Sequence, residues 1–315
     1  MSYSYLTHRF FHFVYMTALP TLTQLRHLLA LHSTLNFTRA AEAVFITQST
    51  LSASIRELET TLEARLVERD KRNVMFTDLG QEVVRRAQAL VADTNDLVRA
   101  CHQHSHPFRG KLVLSAIPTI APYLFPKLLP LLRRRYTQAT FYLREEQTLA
   151  VLNQVRNAQT DIGVIALPFD TPDAFTVLPV REDPFLFVSR DTPALHSKAL
   201  PLARLNAEPL LLLEDGHCLR DHAIAACSLD QLAQRRAVSA TSVTTLLQMV
   251  ESGVGSTLLP ELAVRGGALR ALRLCAQPIR PTPPARTLAL VLRKTSSRQR
   301  EATHLVKIVR QLLAG

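Results

Sequence analysis

Residues 22–33, LTQLRHLLALHS, place apolar side chains at Leu22, Leu25, Leu28, Leu29 and Leu31, the spacing of one helix face. A second set follows at Ala40, Ala41 and Val44, with Thr38 as its expected N-cap. A third falls at Leu51, Ile55, Leu58 and Leu62, with Thr47 as its cap. Phe45-Ile46 leaves room only for a tight turn, and Ala40 and Ala41 allow close crossing of the helices. Leu66–Arg69 and Val74–Phe76 then read as two short strands around a charged turn, Asp70 to Asn73. Together these predict a helix-turn-helix followed by a wing. Thr77 should cap a long helix to about Cys101, whose Leu79, Val83, Ala87, Leu90, Val91, Leu97 and Val98 fall near period 3.6. That length exceeds one domain's need and suits a dimerising linker. Pro107 and Gly110 in HQHSHPFRG mark its end.

From residue 111 the rhythm changes. KLVLSAI, TFYLREEQ and TDIGVIAL read as strands, separated by helices in IAPYLFPKLLPLLRRRY and TLAVLNQVRNAQ. This alternation predicts a parallel sheet with helices on both faces. A second series runs from PFLFVSR through PLLLLED, RRAVSAT and VTTLLQMVESGVGSTLLPELA. TLALVLRK (287–294) then returns to the first series, and Arg298–Leu313 closes the chain as a helix. The expected architecture is α/β: a mainly helical winged helix-turn-helix (21–78), a linker helix (79–106) and a two-lobed, periplasmic-binding-protein-like domain (107–315). Its two Rossmann-like halves are expected at about 110–180 with 287–315, and at about 181–286, with a cleft at the strand ends.

Composition narrows the classes. Apolar residues make up 47% and charged residues 20% of 315, as in a soluble globular protein. No apolar run reaches the roughly 18–20 residues that span a bilayer, so no membrane is expected. The start, MSYSYLTHRFFHFVYM, is aromatic but interrupted by His8, Arg9 and His12, and does not read as a signal peptide. Residues 1–20 are an extension, and Met16 is the expected true start. Four cysteines without dense spacing suit a reducing cytoplasm, where free thiols are the default. The net charge of +11 suggests an anionic partner. However, residues 1–110 carry 12 Lys/Arg against 10 Asp/Glu, and residues 111–315 carry 25 against 16. The excess does not lie in the half expected to bind DNA, so charge alone carries little.

FTRAAEAVFITQSTLSASIRELETTLEARLVER resembles the winged helix-turn-helix of LysR-type transcriptional regulators, through A-A-E, T-Q-S-T-L-S, I-R-E-L-E and L-E-A-R at matching spacings. With the linker helix and two-lobed domain, the resemblance covers roughly 21–313. EDGHCLRDHAIAAC, IPTIAPYLFP and REEQT are similar to the peroxide-sensing OxyR branch of that family. The chain departs from the pattern in three places. Ser49 replaces a usual Pro, His222 stands where Gln is expected, and RPTPPAR (280–286) is longer and richer in proline.

A recognition helix presents its N-terminal residues to the major groove. Here these are Gln48, Ser49, Thr50 and Ser52, with Arg56 one turn on. Gln suits adenine, Arg suits guanine or phosphate, and hydroxyls suit phosphate. Arg56 has an alternative partner in Glu59 or Glu63. Arg39, and Lys71 and Arg72 in the wing, should meet phosphate.

The stretch LLLLEDGHCLRDHAIAAC holds Cys218 and Cys227. Asp215 can cap a helix with Cys218 in its first turn, where free N–H groups favour a thiolate. Glu214, Asp215 and Asp221 oppose that. On an intact helix the two Cα atoms would lie roughly 13 Å apart, against about 5.5 Å in a disulfide. Linking them requires unwinding, so the pair can be a switch, or two buried core thiols. The resemblance implies the switch. Peroxide oxidises Cys218 to a sulfenic acid, Cys227 resolves it as a disulfide, and glutathione or a glutaredoxin-type reductant reverses the bond. It also implies Thr119, Thr148 and His217 as pocket groups, and Arg286 as support for the thiolate. The partners it implies are promoter DNA, RNA polymerase and further copies of the chain as a dimer of dimers. No metal or cofactor is expected. The rival reading is a LysR-type regulator of a small metabolite with inert cysteines. The DNA-binding segment disfavours both a thiol peroxidase and a periplasmic solute-binding protein.

Overall fold

A computed structural model describes residues 19–69, 74–102, 108–191, 199–201, 210–214, 218–227, 239–281 and 283–314. The chain divides into two compact units, Met1–Thr94 and Asn95–Gly315.

In the first unit, α1 (Leu22–Thr34), α2 (Phe37–Ala43) and α3 (Gln48–Thr61) enclose Leu28, Leu31, Leu51, Ile55 and Leu58. Thr21 and Gln24 form a reciprocal capping box at the start of α1. Asn36, rather than Thr38, caps α2, its side-chain oxygen accepting from the N–H groups of Thr38 and Arg39 at 2.9 and 3.0 Å. Asn is at least as good a cap as Thr, and its position adds two residues, about half a turn, to the helix. Thr47 caps α3 through the Thr50 N–H. The wing strands β1 (Val67–Arg69) and β2 (Val74–Phe76) pair antiparallel. Glu59 anchors them, its carboxylate accepting from the N–H groups of Leu66 and Val67 at 2.8 and 3.0 Å. The Thr77 hydroxyl then accepts from Gly80 N–H at 2.9 Å and starts α4 (Asp78–His102). Glycine is required at position 80, because a Cβ there would fall 2.1 Å from the Leu66 carbonyl oxygen. Along α4, Leu79, Leu90, Leu97 and Val98 stay exposed.

The second unit continues with β3 (Gly110–Ala116), α5 (Ala121–Arg135), β4 (Ala139–Glu145), α6 (Thr148–Arg156) and β5 (Ile162–Leu167). Next come β6 (Phe175–Arg190), β7 (Leu200–Pro201), β8 (Leu212–Leu213), α7 (Cys218–Cys227), β9 (Ser239–Ala240) and α8 (Val243–Glu251). The chain ends with β10 (Thr257–Pro260), α9 (Glu261–Arg265), β11 (Leu274–Arg280), β12 (Ala285–Arg293) and α10 (Gln299–Ala314).

β4, β3 and β5 are parallel, as the alternating pattern predicts, and β12 returns antiparallel beside β5. The two halves share one curled mixed sheet, ordered β4-β3-β5-β12-β6-β11-β7, with β10 also on β6. The 16-residue β6 is the shared member. It pairs with β12 from Phe175 to Pro184, and with β10 and β11 from Phe185 to Arg190. The register shifts by one residue between Leu288 and Ala289, where Val180 is the extra residue beside Pro179; a bulge is where a strand tolerates proline. Two apolar cores flank this sheet. One holds Leu112, Leu114, Val164, Leu290 and Leu305 (lobe I), the other Phe185, Val188, Leu246, Leu258 and Leu259 (lobe II).

Candidate functional site

Cys218 opens α7. The helix follows β8 of lobe II along the chain, yet the Cys218 thiol is buried in the core of lobe I. It lies with Ile117, Pro118 and Thr119 from the β3–α5 turn, and with Gln147 and Thr148 at the start of α6. The site therefore sits outside the carboxyl ends of β3 and β4, where open α/β sheets hold ligands. These residues leave a small void of about 10 Å³, at the lower limit for holding one water.

Arg286, near the start of β12, is wholly enclosed. Its Nε donates to Asp183 Oδ2 at 3.0 Å and its Nη1 to the Thr119 hydroxyl at 2.8 Å; Nη2 reaches the Thr119 carbonyl at 3.3 Å. Asp183, also buried, uses its other oxygen to accept from Leu262 N–H at 2.8 Å. Arg286 thus fixes Thr119 against the void while its own charge is balanced. The Thr148 hydroxyl is buried and, among the described residues, meets no partner at strict hydrogen-bond geometry, although it lies close enough to the Cys218 thiol to favour its thiolate. Thr148 is the first residue of α6 and does not cap it.

Burial pushes the Cys218 thiol up from its ordinary range. The Thr148 hydroxyl and the Arg286 guanidinium pull it down, and Asp221 adds to the rise. The enclosed sulfur is a protonated thiol at neutral pH, with two groups placed to hold the thiolate once it forms.

Sequence reasoning missed two members of this cluster. Asp183 lies in the polar run REDP and reads as a surface acid. His222 stood out only as a departure from the expected Gln. Its ring is buried, and its Nε2 lies 2.7 Å from the Pro168 carbonyl oxygen, just past β5.

The structure brings Cys218, Thr119, Thr148 and Arg286 together. His217 and the proposed cap Asp215 lie outside the described residues, as do the side chain of Cys227 and that of Cys101. Cys227 ends the same helix that Cys218 begins, so their Cα atoms are about 13 Å apart along it. Cys275 is a free thiol 3.6 Å from the Ser189 hydroxyl, away from this cluster.

On the winged domain Arg39, Gln48, Ser49 and Thr50 are exposed. Ser52 corrects the expectation: it is buried, because position 52 turns inward beside Leu51. Arg56 is exposed, and its Nε donates to the Ser52 carbonyl at 3.3 Å. Glu59 is instead committed to the wing. Lys71 and Arg72 lie outside the described residues. Among the described residues no group of three or more His, Cys, Asp or Glu could hold a metal, and no helix is long and apolar enough to cross a membrane.

Comparison with known proteins gives two family matches. Residues 22–81 match the bacterial regulatory helix-turn-helix protein, lysR family, and residues 105–314 match the LysR substrate binding domain. The HTH-type transcriptional regulator EstR of Acinetobacter baylyi is 40% identical over 300 residues, covering 95% of this chain and 99% of that protein. The hydrogen peroxide-inducible genes activator of Dickeya chrysanthemi is 35% identical over 288 residues, covering 91% and 94%. Among solved structures, full-length OxyR from Pseudomonas aeruginosa superposes with a TM-score of 0.77 at 31% identity, covering 92% and 94%.

Proposed function

The chain belongs to the LysR family of transcriptional regulators, which are not enzymes, and from that premise we propose that it senses hydrogen peroxide through Cys218 and Cys227. The observation that carries this reading is the enclosed thiol itself. Cys218 faces a small void bordered by a Thr119 hydroxyl held by buried Arg286 and by the buried Thr148 hydroxyl. Peroxide offers donors and acceptors to both hydroxyls. The Cys218 thiolate attacks one peroxide oxygen, the O–O bond breaks, and the leaving hydroxide takes the thiol's proton as water. The product is a sulfenic acid. Cys227 then displaces its hydroxyl, giving a disulfide and a second water. Two thiols and one peroxide become one disulfide and two waters. Closing the bond means unwinding α7, so chemistry at one sulfur rearranges a ten-residue helix. Two equivalents of glutathione, or a glutaredoxin-type dithiol, reverse it.

The exposed apolar residues of α4 suit dimerisation, and a dimer of dimers on cytoplasmic promoter DNA completes the assembly. Arg39, Gln48, Ser49, Thr50 and Arg56, with Lys71 and Arg72, supply the DNA contacts, and RNA polymerase reads the rearranged complex.

One observation favours a second reading. A cavity of about 350 Å³ borders Lys127, Arg181, Glu261 and Leu288, within the usual size of a small-molecule site, and the 40% identical EstR is a different regulator. A metabolite there would make the cysteines bystanders. Peptide mapping by mass spectrometry, before and one minute after one equivalent of hydrogen peroxide, separates the two. A Cys218–Cys227 link is expected. Two free thiols would refute peroxide sensing and leave the metabolite reading.

A further inference from the structure

His222 is buried, ionisable and unused by the chemistry above. It follows Cys218 by four residues, so both side chains leave the same face of α7. That face meets lobe I twice. Cys218 enters its core, and one turn later the His222 imidazole reaches Pro168 at 2.7 Å. A carbonyl can only accept, so Nε2 carries the hydrogen and Nδ1 of the neutral ring is a bare acceptor. Among the described residues Nδ1 is buried without a partner. Protonation there would create a donor with nothing to receive it, and a second cation near Arg286.

We propose that His222 is a positioning residue that latches α7 onto lobe I while it is neutral, so that mild acid loosens the helix carrying the sensing thiol. Burial pulls the ring below its ordinary value of 6.5; the Pro168 bond opposes this, Arg286 on β12 reinforces it, and Asp221 on the ring's own helix opposes it. Asp221 is largely exposed and 3.8 Å from Arg220, so water weakens its pull. The sign follows from linkage. The released helix returns the ring to water and to a pKa near 6.5, so it binds the proton more readily than the docked helix does. Docking is at full strength above about pH 6.5 and weakens below it, by up to about tenfold per pH unit until the docked ring itself titrates. Disulfide closure requires the same helix to leave. In its use, though not in its physics, the latch therefore rests on the peroxide reading.

Position 222 supplies its own control. Gln, the residue expected there from the family pattern, can donate one bond to Pro168 but takes up no proton near neutral pH. The experiment is amide hydrogen exchange across residues 218–227 of the reduced full-length protein without peroxide, between pH 7.5 and 5.5, corrected for intrinsic exchange. Wild-type protection should fall as the pH drops below 6.5, by up to about tenfold per unit. H222Q should keep its pH 7.5 protection throughout. H222L should show low protection at both ends. A flat wild-type profile, an equal acid loss in H222Q, or full protection in H222L would overturn the latch. If H222L does not fold, the contrast between wild type and H222Q decides. No step depends on the Cys218–Cys227 bond, so failure of the latch and failure of peroxide sensing are separate results.

Discussion

Replacing Arg286 with Met should destabilise the second unit strongly and slow the peroxide reaction at the same time. The side chain is enclosed and Asp183 is 2% exposed, so this pair follows the rules for buried ions rather than surface ones. Met fills similar space but leaves the Asp183 carboxylate with its Leu262 N–H bond and no cation. Breaking one side of a buried pair costs about 3–5 kcal/mol. At about 2–4 °C per kcal/mol for a unit of this size, the melting temperature should drop by roughly 6–20 °C. Removing Asp183 as well, as R286M with D183L, should recover at least half of that loss, because no uncompensated charge remains. Leu262 N–H then lacks an acceptor, at about 1–3 kcal/mol, so recovery stays incomplete. Neither variant should react like wild type. Thr119 has lost its Nη1 donor and the Cys218 thiolate its nearby cation. Calorimetry reads the first effect and stopped-flow oxidation of Cys218 the second. An R286M protein melting within 2 °C of wild type, or a double variant melting below the single one, would show that the pair does not carry the load assigned to it.

Thr148→Val should barely change stability, within about 1 kcal/mol, since its hydroxyl meets no partner at strict hydrogen-bond geometry among the described residues. It should still slow oxidation of Cys218; an unchanged rate, measured by stopped flow, would remove Thr148 from the pocket chemistry. Because burial raises the Cys218 thiol, its reactive thiolate is a minor form near neutrality. The rate of its oxidation by peroxide should therefore climb about tenfold per pH unit from pH 6 to 8, and a rate that is flat over this range would contradict the raised value.

Local signals carried the first unit well. The helices of the winged domain follow their apolar period, and Thr47 and Thr77 act as their spacing predicts. Thr38 failed as a cap only because Asn36, an equally good capping residue two positions earlier, takes the role. β6 was harder to see. Only PFLFVSR reads as a strand, since Pro179 and Pro184 look like breaks, and the bulge at Val180 that accommodates Pro179 depends on β12, more than a hundred residues away. The site shows the same division. Cys218, Thr119 and Thr148 were visible through motif resemblance. Asp183 was not, because an acid in the charged run Arg181-Glu182-Asp183 reads as solvated until Arg286 arrives from the far end of the chain. His222 was noticed for its identity, but neither its burial nor its bond to Pro168 follows from any local pattern.

The long strand β6 has a mechanical meaning. Sixteen extended residues span roughly 50 Å, and the same backbone is ladder-bonded to β12 over its first part and to β10 and β11 over its second. It acts as an axle common to both lobes. Pulling the lobes straight apart would break the ladder at once, whereas turning one about the shared strand leaves every rung in place. The soft motion left to this unit is torsion, centred where β6 changes partners from β12 to β10 and β11, at Pro184 and Phe185. Substitutions that stiffen the shared strand should change how much rotation a given rearrangement of α7 delivers.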